Sequence, residues 1–162
     1  MINETPATEL AEFVSQMHAE RTALHAFIRL LETEQQALLN EQTEQIQTLA
    51  DNKTKMVQQL TKLVNARRNG MLSLGIKIEP GSMESWLQTH TALNVPAWHE
   101  IQQLATRAQQ INRTNGELIQ VKMRHNQQAL TMLHNATHSA TGLYGPDGQP
   151  SLPVSGRILN SV

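Results

Sequence analysis

Two histidines near the C-terminal end of the chain have the spacing of a metal-binding pair. His134 and His138 are four residues apart, which places two imidazoles on one face of a helix. No acidic residue or further histidine lies within one helical turn to complete a ligand set. We therefore interpret them as an ordinary exposed pair, and we predict neither a metal site nor a bound cofactor.

The sequence shows no set of residues with the types and spacing of a catalytic site. No nucleophile has a neighbouring general base, and no glycine-rich loop is present that could cradle a phosphate. The acidic residues are scattered over positions that repeat as solvent-exposed. The absence of cysteine excludes disulfides and thiolate metal sites. We predict that the protein is not an enzyme.

Two asparagines occupy positions where a helical seam would place apolar residues. Apolar residues recur with alternating spacings of three and four at Ile101, Leu104, Ala108, Ile111 and Leu118, and Asn115 falls in this series. A buried asparagine can fix the register of packed helices at some cost in stability. Asn115 and Asn126 therefore either set the register or hold a bound partner, and the sequence leaves both alternatives open.

The apolar stripe changes its phase after Leu118. It continues one position later, at Ile119, Met123, Asn126, Leu130 and Leu133. A shift of one residue turns the apolar face by about 100° on an α-helix. We expect the first part of this helix to face its own bundle and the second part to face another protein.

The preceding sequence predicts the elements that position this helix. Large apolar residues recur every seven residues at Leu10, Met17, Leu24, Leu31 and Leu38, and a second stripe runs from Ile46 to Arg67. The short connection between them requires two antiparallel helices. Residues 75–81 form a Gly/Pro connector, Ser82 is expected to cap a short helix near Trp86, and residues 94–96 start the last long helix.

These features predict an all-α fold, an elongated antiparallel up-and-down helical bundle with three long helices and a short one. We assign residues 1–142 to the bundle. We predict a flexible C-terminal tail at residues 143–162, because its glycines and prolines oppose regular structure.

Charge and hydropathy limit the partners and the location. The 13 basic and 14 acidic residues give a net charge of -1, which does not favour nucleic acid as a partner. No stretch approaches 18 uninterrupted apolar residues, and the N-terminus lacks the features of a signal peptide. We expect a cytoplasmic protein that does not insert into a membrane.

The C-terminal part of the sequence carries a specific resemblance. The run from Asn115-Gly116 to Asn126-Gln127-Gln128-Ala129-Leu130, followed by Leu143-Tyr144-Gly145-x-Asp147-Gly148-Gln149, resembles the FlgN family of flagellar type III export chaperones. The resemblance implies binding to the C-terminal helical segments of the hook-filament junction proteins FlgK and FlgL. It also implies delivery of this cargo, kept unassembled, to the cytosolic domain of the export gate protein FlhA.

Candidate binding residues follow from the stripe and from this resemblance. The expected cargo-binding residues are Asn115, Leu118, Ile119, Met123, Asn126, Leu130 and Leu133. The family motif assigns contact with the export gate to Tyr144, the one tyrosine of the chain. The alternative for Tyr144 is that it packs back on the last helix, near Leu133 or Ala136.

A second functional hypothesis is a structural or adaptor coiled coil that self-associates, forming a homo-oligomer when it is empty. Such a protein does not require a shifted helix face followed by a lone tyrosine. A small species that becomes larger only with cargo would distinguish the chaperone from the coiled coil.

Overall fold

The computed structural model describes residues 5–90 and 95–141, with side chains from 7 to 90 and from 96 to 138. The predicted all-α fold is confirmed, since the described residues form helices and no strand. The helices are α1 (Thr5–Leu39), α2 (Thr43–Ser73), α3 (Ser82–Thr89) and α4 (Val95–Thr141). The chain divides into two compact units, Met1–Leu118 and Ile119–Val162.

Helices α1 and α2 form an antiparallel pair around a tight turn at residues 40–42. Glu41 has a φ of 57° in this turn, a left-handed conformation that ends α1 sharply. Glu34 of α1 pairs with Lys53 of α2, whereas the earlier Glu20 pairs with the later Arg67. Residue numbers rise in one helix as they fall in the other, as the short connection predicts.

The first part of α4 lies beside α1 in parallel orientation. Arg21 pairs with Glu100 at 3.1 Å, and Glu32 pairs with Arg107 farther along both helices. The first unit is therefore an up-down-up bundle. Its core includes Phe13, Met17, Leu24, Leu31, Met71, Ile101, Leu104 and Ala108.

The connector and α3 cover the edge of this core. Ile76, Met83 and Leu87 are buried, and the Trp86 ring meets the edge of Phe13 with centroids 6.3 Å apart. The expected cap at Ser82 is wrong. The N-cap is Gly81, which has a φ of 81° and makes no side-chain capping bond, because this turn needs the left-handed conformation that glycine adopts readily.

Two predicted features lie outside the described residues. The boundary at residue 142 and the tail at residues 143–162 fall beyond Thr141, so their organisation stays a prediction. The same holds for Asn94, which precedes the first residue of α4.

Candidate partner-binding face of α4

Apolar side chains of the second unit are exposed along α4. We call Ile119, Met123, Asn126, Leu130 and Leu133 the distal stripe. Met123, Leu130 and Leu133 expose 65%, 66% and 64% of their surface, respectively. Asn126 is also exposed, and Ile119 is half-buried. Three large apolar side chains, seven and three residues apart, are thus in contact with solvent.

In the earlier part of α4 the apolar stripe is buried. Ile101, Leu104 and Ala108 are buried in the first unit, and Leu118 is half-buried. Burial of a large apolar side chain contributes about 1.5–3 kcal/mol. Because the three exposed side chains of the distal stripe are about two thirds exposed, covering them would contribute about 3–6 kcal/mol before the costs of association. Exposed apolar residues of this kind make the distal stripe a candidate interaction site.

Asn115 lies in the interior of the first unit, with no exposed surface. Its amide nitrogen donates to the main-chain oxygen of Leu31 and to a Glu34 carboxylate oxygen, both at 2.8 Å. Glu34 is also buried and accepts from Lys53 at 2.9 Å. Asn115 thus joins α4 to the α1–α2 pair and is inaccessible to a partner while the bundle is closed.

A second buried ion pair was missed by the sequence analysis. Arg67 lies in α2, six residues before its last residue, Ser73. Its guanidinium pairs with buried Glu20 at 2.6 Å and lies 4.9 Å from the Trp98 ring centroid. The one sequence feature that could have indicated this ion pair is Glu20 itself, a glutamate on an otherwise apolar face of α1.

Trp98 also orients a carboxylate of α3. Its indole nitrogen donates to Glu84 at 2.9 Å, and Gln102 donates to the same oxygen at 2.8 Å. The pKa of Glu84 is lowered, first by this indole hydrogen bond and then by a backbone hydrogen bond, with Gln102 contributing further. This polar cluster fixes α3 against the beginning of α4.

The histidine pair predicted from its spacing does form a contact. The Nε2 atoms of His134 and His138 lie 3.0 Å apart, with their rings edge to face. This distance is that of a hydrogen bond between the two imidazoles. The residues described by the structure contain no group of three or more His, Cys, Asp or Glu suited to a metal ion.

Charges around the distal stripe are of one sign. Lys122 and Arg124 lie in this segment, and the sequence contains no Asp or Glu from Leu118 to Pro146. The three histidines of the segment can only add positive charge. An acidic partner would therefore meet no repulsion from the helical segment after Leu118.

Tyr144, the expected contact for the export gate, lies outside the described residues. Its contacts stay a prediction. Among the helices that the structure describes, none has the length and apolar character required to cross a membrane.

Comparisons with known proteins agree with the resemblance seen in the sequence. The family model described as FlgN protein matches residues 1–151. The flagella synthesis protein FlgN of Escherichia coli K12 is 31% identical over 146 residues, covering 89% of this chain and 91% of that protein. The flagella synthesis protein FlgN of Yersinia enterocolitica is 30% identical over 124 residues, covering 65% of this chain and 83% of that protein. No solved structure matches the chain.

Proposed function

Because the chain belongs to the FlgN family, we propose that it is a cytoplasmic flagellar export chaperone for the hook-filament junction proteins FlgK and FlgL. In this proposal it binds their C-terminal segments, keeps them unassembled and delivers them to the export gate protein FlhA. The observation that carries the proposal is the exposed distal stripe. A helical cargo segment that cannot fold alone can lay its apolar face on this stripe.

Binding of this kind needs no chemical step. Met123, Leu130 and Leu133 provide anchors at helical spacing, and methionine adapts its shape to different neighbours. A chaperone with two cargoes needs such adaptability, because one surface has to accept two sequences.

Leu130→Asp is the variant that tests this function. It removes the apolar anchor and forces a charge into the cargo interface, so we expect affinity for FlgK and FlgL to fall about 100-fold or more. Isothermal titration with purified FlgK and FlgL measures the loss. Circular dichroism should show unchanged helix content, since Leu130 is exposed in the free chain.

Leu72→Asp is a matched control. Leu72 is 56% exposed and lies on α2, far along the sequence from the distal stripe. We expect this variant to bind cargo like the wild type. Equal losses in both variants, or no loss in Leu130→Asp, would refute the assignment of the cargo site.

Tyr144 is proposed as the contact for the cytosolic domain of FlhA. A lone aromatic residue can act as an interface anchor, and such anchors contribute about 2 kcal/mol or more, on the order of thirtyfold in affinity. We expect Tyr144→Ala to weaken binding of the chaperone and cargo complex to FlhA while leaving cargo affinity and melting temperature unchanged. A lower melting temperature with unaltered FlhA binding would show that Tyr144 packs on the helix instead.

A further inference from the structure

An eleven-residue near-repeat connects the buried asparagine of α4 with the exposed one. Arg113-Thr114-Asn115 is followed eleven residues later by Arg124-His125-Asn126, and the positions of Glu117 and Ile119 are then taken by Gln128 and Leu130. Eleven residues make about three turns of an α-helix. The repeat keeps the arginine and the asparagine but not the apolar seam, because Ile111 and Leu118 beside Asn115 correspond to Lys122 and Ala129. Met123 and Leu130 are the apolar neighbours of Asn126 instead.

The first copy shows what the asparagine of a covered seam contacts in this protein. Asn115 is covered by α1, where Leu31 fills the apolar seam and Glu34, one turn later, supplies a carboxylate. Leu31 is fully buried and Glu34 is nearly so. The amide of a covered asparagine must find acceptors, and the bond to a carboxylate is the stronger of the two.

The second copy offers the same donor without its acceptor. Asn126 is exposed between Met123 and Leu130. When a partner covers this stripe, the amide of Asn126 loses water and has to be satisfied by the partner. The segment itself contains no acidic residue and carries Lys122 and Arg124, so its charge favours a carboxylate acceptor that the partner supplies.

We propose that the distal stripe binds an amphipathic helix that carries a glutamate or aspartate three residues after a large apolar residue of its own stripe. Asn126 then donates to this carboxylate as Asn115 donates to Glu34. This inference rests on the proposed function and specifies the chemistry of the cargo segment that the chaperone selects. Two copies of the distal stripe fit each other less well than the stripe fits such an acidic helix, since both copies carry positive charge and neither supplies a carboxylate.

The chain itself provides the probe. A fluorescent peptide with capped ends and the sequence of residues 21–39 contains Leu31 and Glu34 in the required spacing. Its Glu34→Gln form is isosteric but uncharged. Fluorescence anisotropy measures binding of both peptides to the full-length wild type, to Asn126→Leu and to Leu130→Asp.

We expect the Glu34 peptide to bind the wild type about fivefold more tightly than the Gln form. This preference should vanish in Asn126→Leu, and Leu130→Asp should bind neither peptide. Equal binding of both peptides to the wild type would overturn the inference, as would an unchanged preference in Asn126→Leu.

Binding of FlgK separates this inference from the proposed function. If the wild type binds FlgK through Leu130 but does not bind the Glu34 peptide, the carboxylate inference is wrong and the cargo site stands. If Leu130→Asp binds FlgK and peptide normally, the cargo site is wrong as well. A wild-type dimer in sedimentation that Leu130→Asp dissociates would identify a second copy as the occupant and overturn the inference.

Discussion

Two glycines inside helices are expected to respond with opposite signs to the same substitution. A Cβ added at Gly70 of α2 would lie 2.9 Å from Cδ2 of Phe13 and 2.8 Å from Oε1 of Gln16. A Cβ added at Gly116 of α4 would meet nothing within 4 Å. The pair therefore tests how closely α1 and α2 approach each other.

The magnitudes follow from propensity and packing. Replacing a helical glycine by alanine stabilises a helix by about 1 kcal/mol where there is space. At Gly70 the Phe13 ring is fully buried and cannot withdraw, so overpacking costs about 1–3 kcal/mol. We expect Gly70→Ala to lower the free energy of unfolding by about 1 kcal/mol net, and Gly116→Ala to raise it by about 0.5–1 kcal/mol.

Urea denaturation followed by circular dichroism measures both changes. A change of 1 kcal/mol moves the midpoint by about 0.5 M at a slope near 2 kcal/mol/M. Gln16→Ala in the Gly70→Ala background should restore part of the loss, because it removes one of the two clashing atoms. Equal stabilisation by both glycine substitutions would refute the close approach of α1 and α2.

Three further substitutions test the polar and apolar contacts of the first unit. Arg67→Ala leaves buried Glu20 without its partner and should cost about 3–5 kcal/mol in urea denaturation; adding Glu20→Gln should recover part of it. Because the pKa of Glu84 is lowered in the folded state, its ionisation stabilises the fold above the ordinary pKa, and this stabilisation is lost as the pH falls through the lowered value. Trp98→Phe removes the main cause, so the stability of the variant should fall less steeply between about pH 5 and 3. Leu104→Asp places a charge in the core and should lower the free energy of unfolding by several kcal/mol. Circular dichroism should show the unfolding as a loss of helix signal at 222 nm.

Periodicity predicted the helices because apolar spacing reports which face of a helix is covered. The heptad residues Met17, Leu24 and Leu31 are buried, as expected for the seam of a bundle. Beyond Lys122 every described side chain of α4 is exposed, on the stripe and off it, as Met132 at 72% shows. The interpretation of the changed phase after Leu118 therefore stays a prediction.

Pairings between distant residues could not be predicted in the same way. Glu34 meets Asn115, 81 residues away, and Arg67 meets Glu20, 47 residues away. Each partner is one of several similar residues on its helix, and only the packed geometry selects among them. For this reason the sequence left open whether Asn115 sets the register or holds a partner, and the structure places it in the bundle.

Hydrogen–deuterium exchange of the free chain and of its complexes with FlgK and FlgL tests the central claim most directly. Exposed helical amides exchange quickly, and a covering partner slows them. We predict that cargo protects residues 119–138, whereas exchange in α1 and α2 changes little. Protection confined to α1 and α2, with unchanged exchange at residues 119–138, would contradict the assignment of the cargo site to the distal stripe.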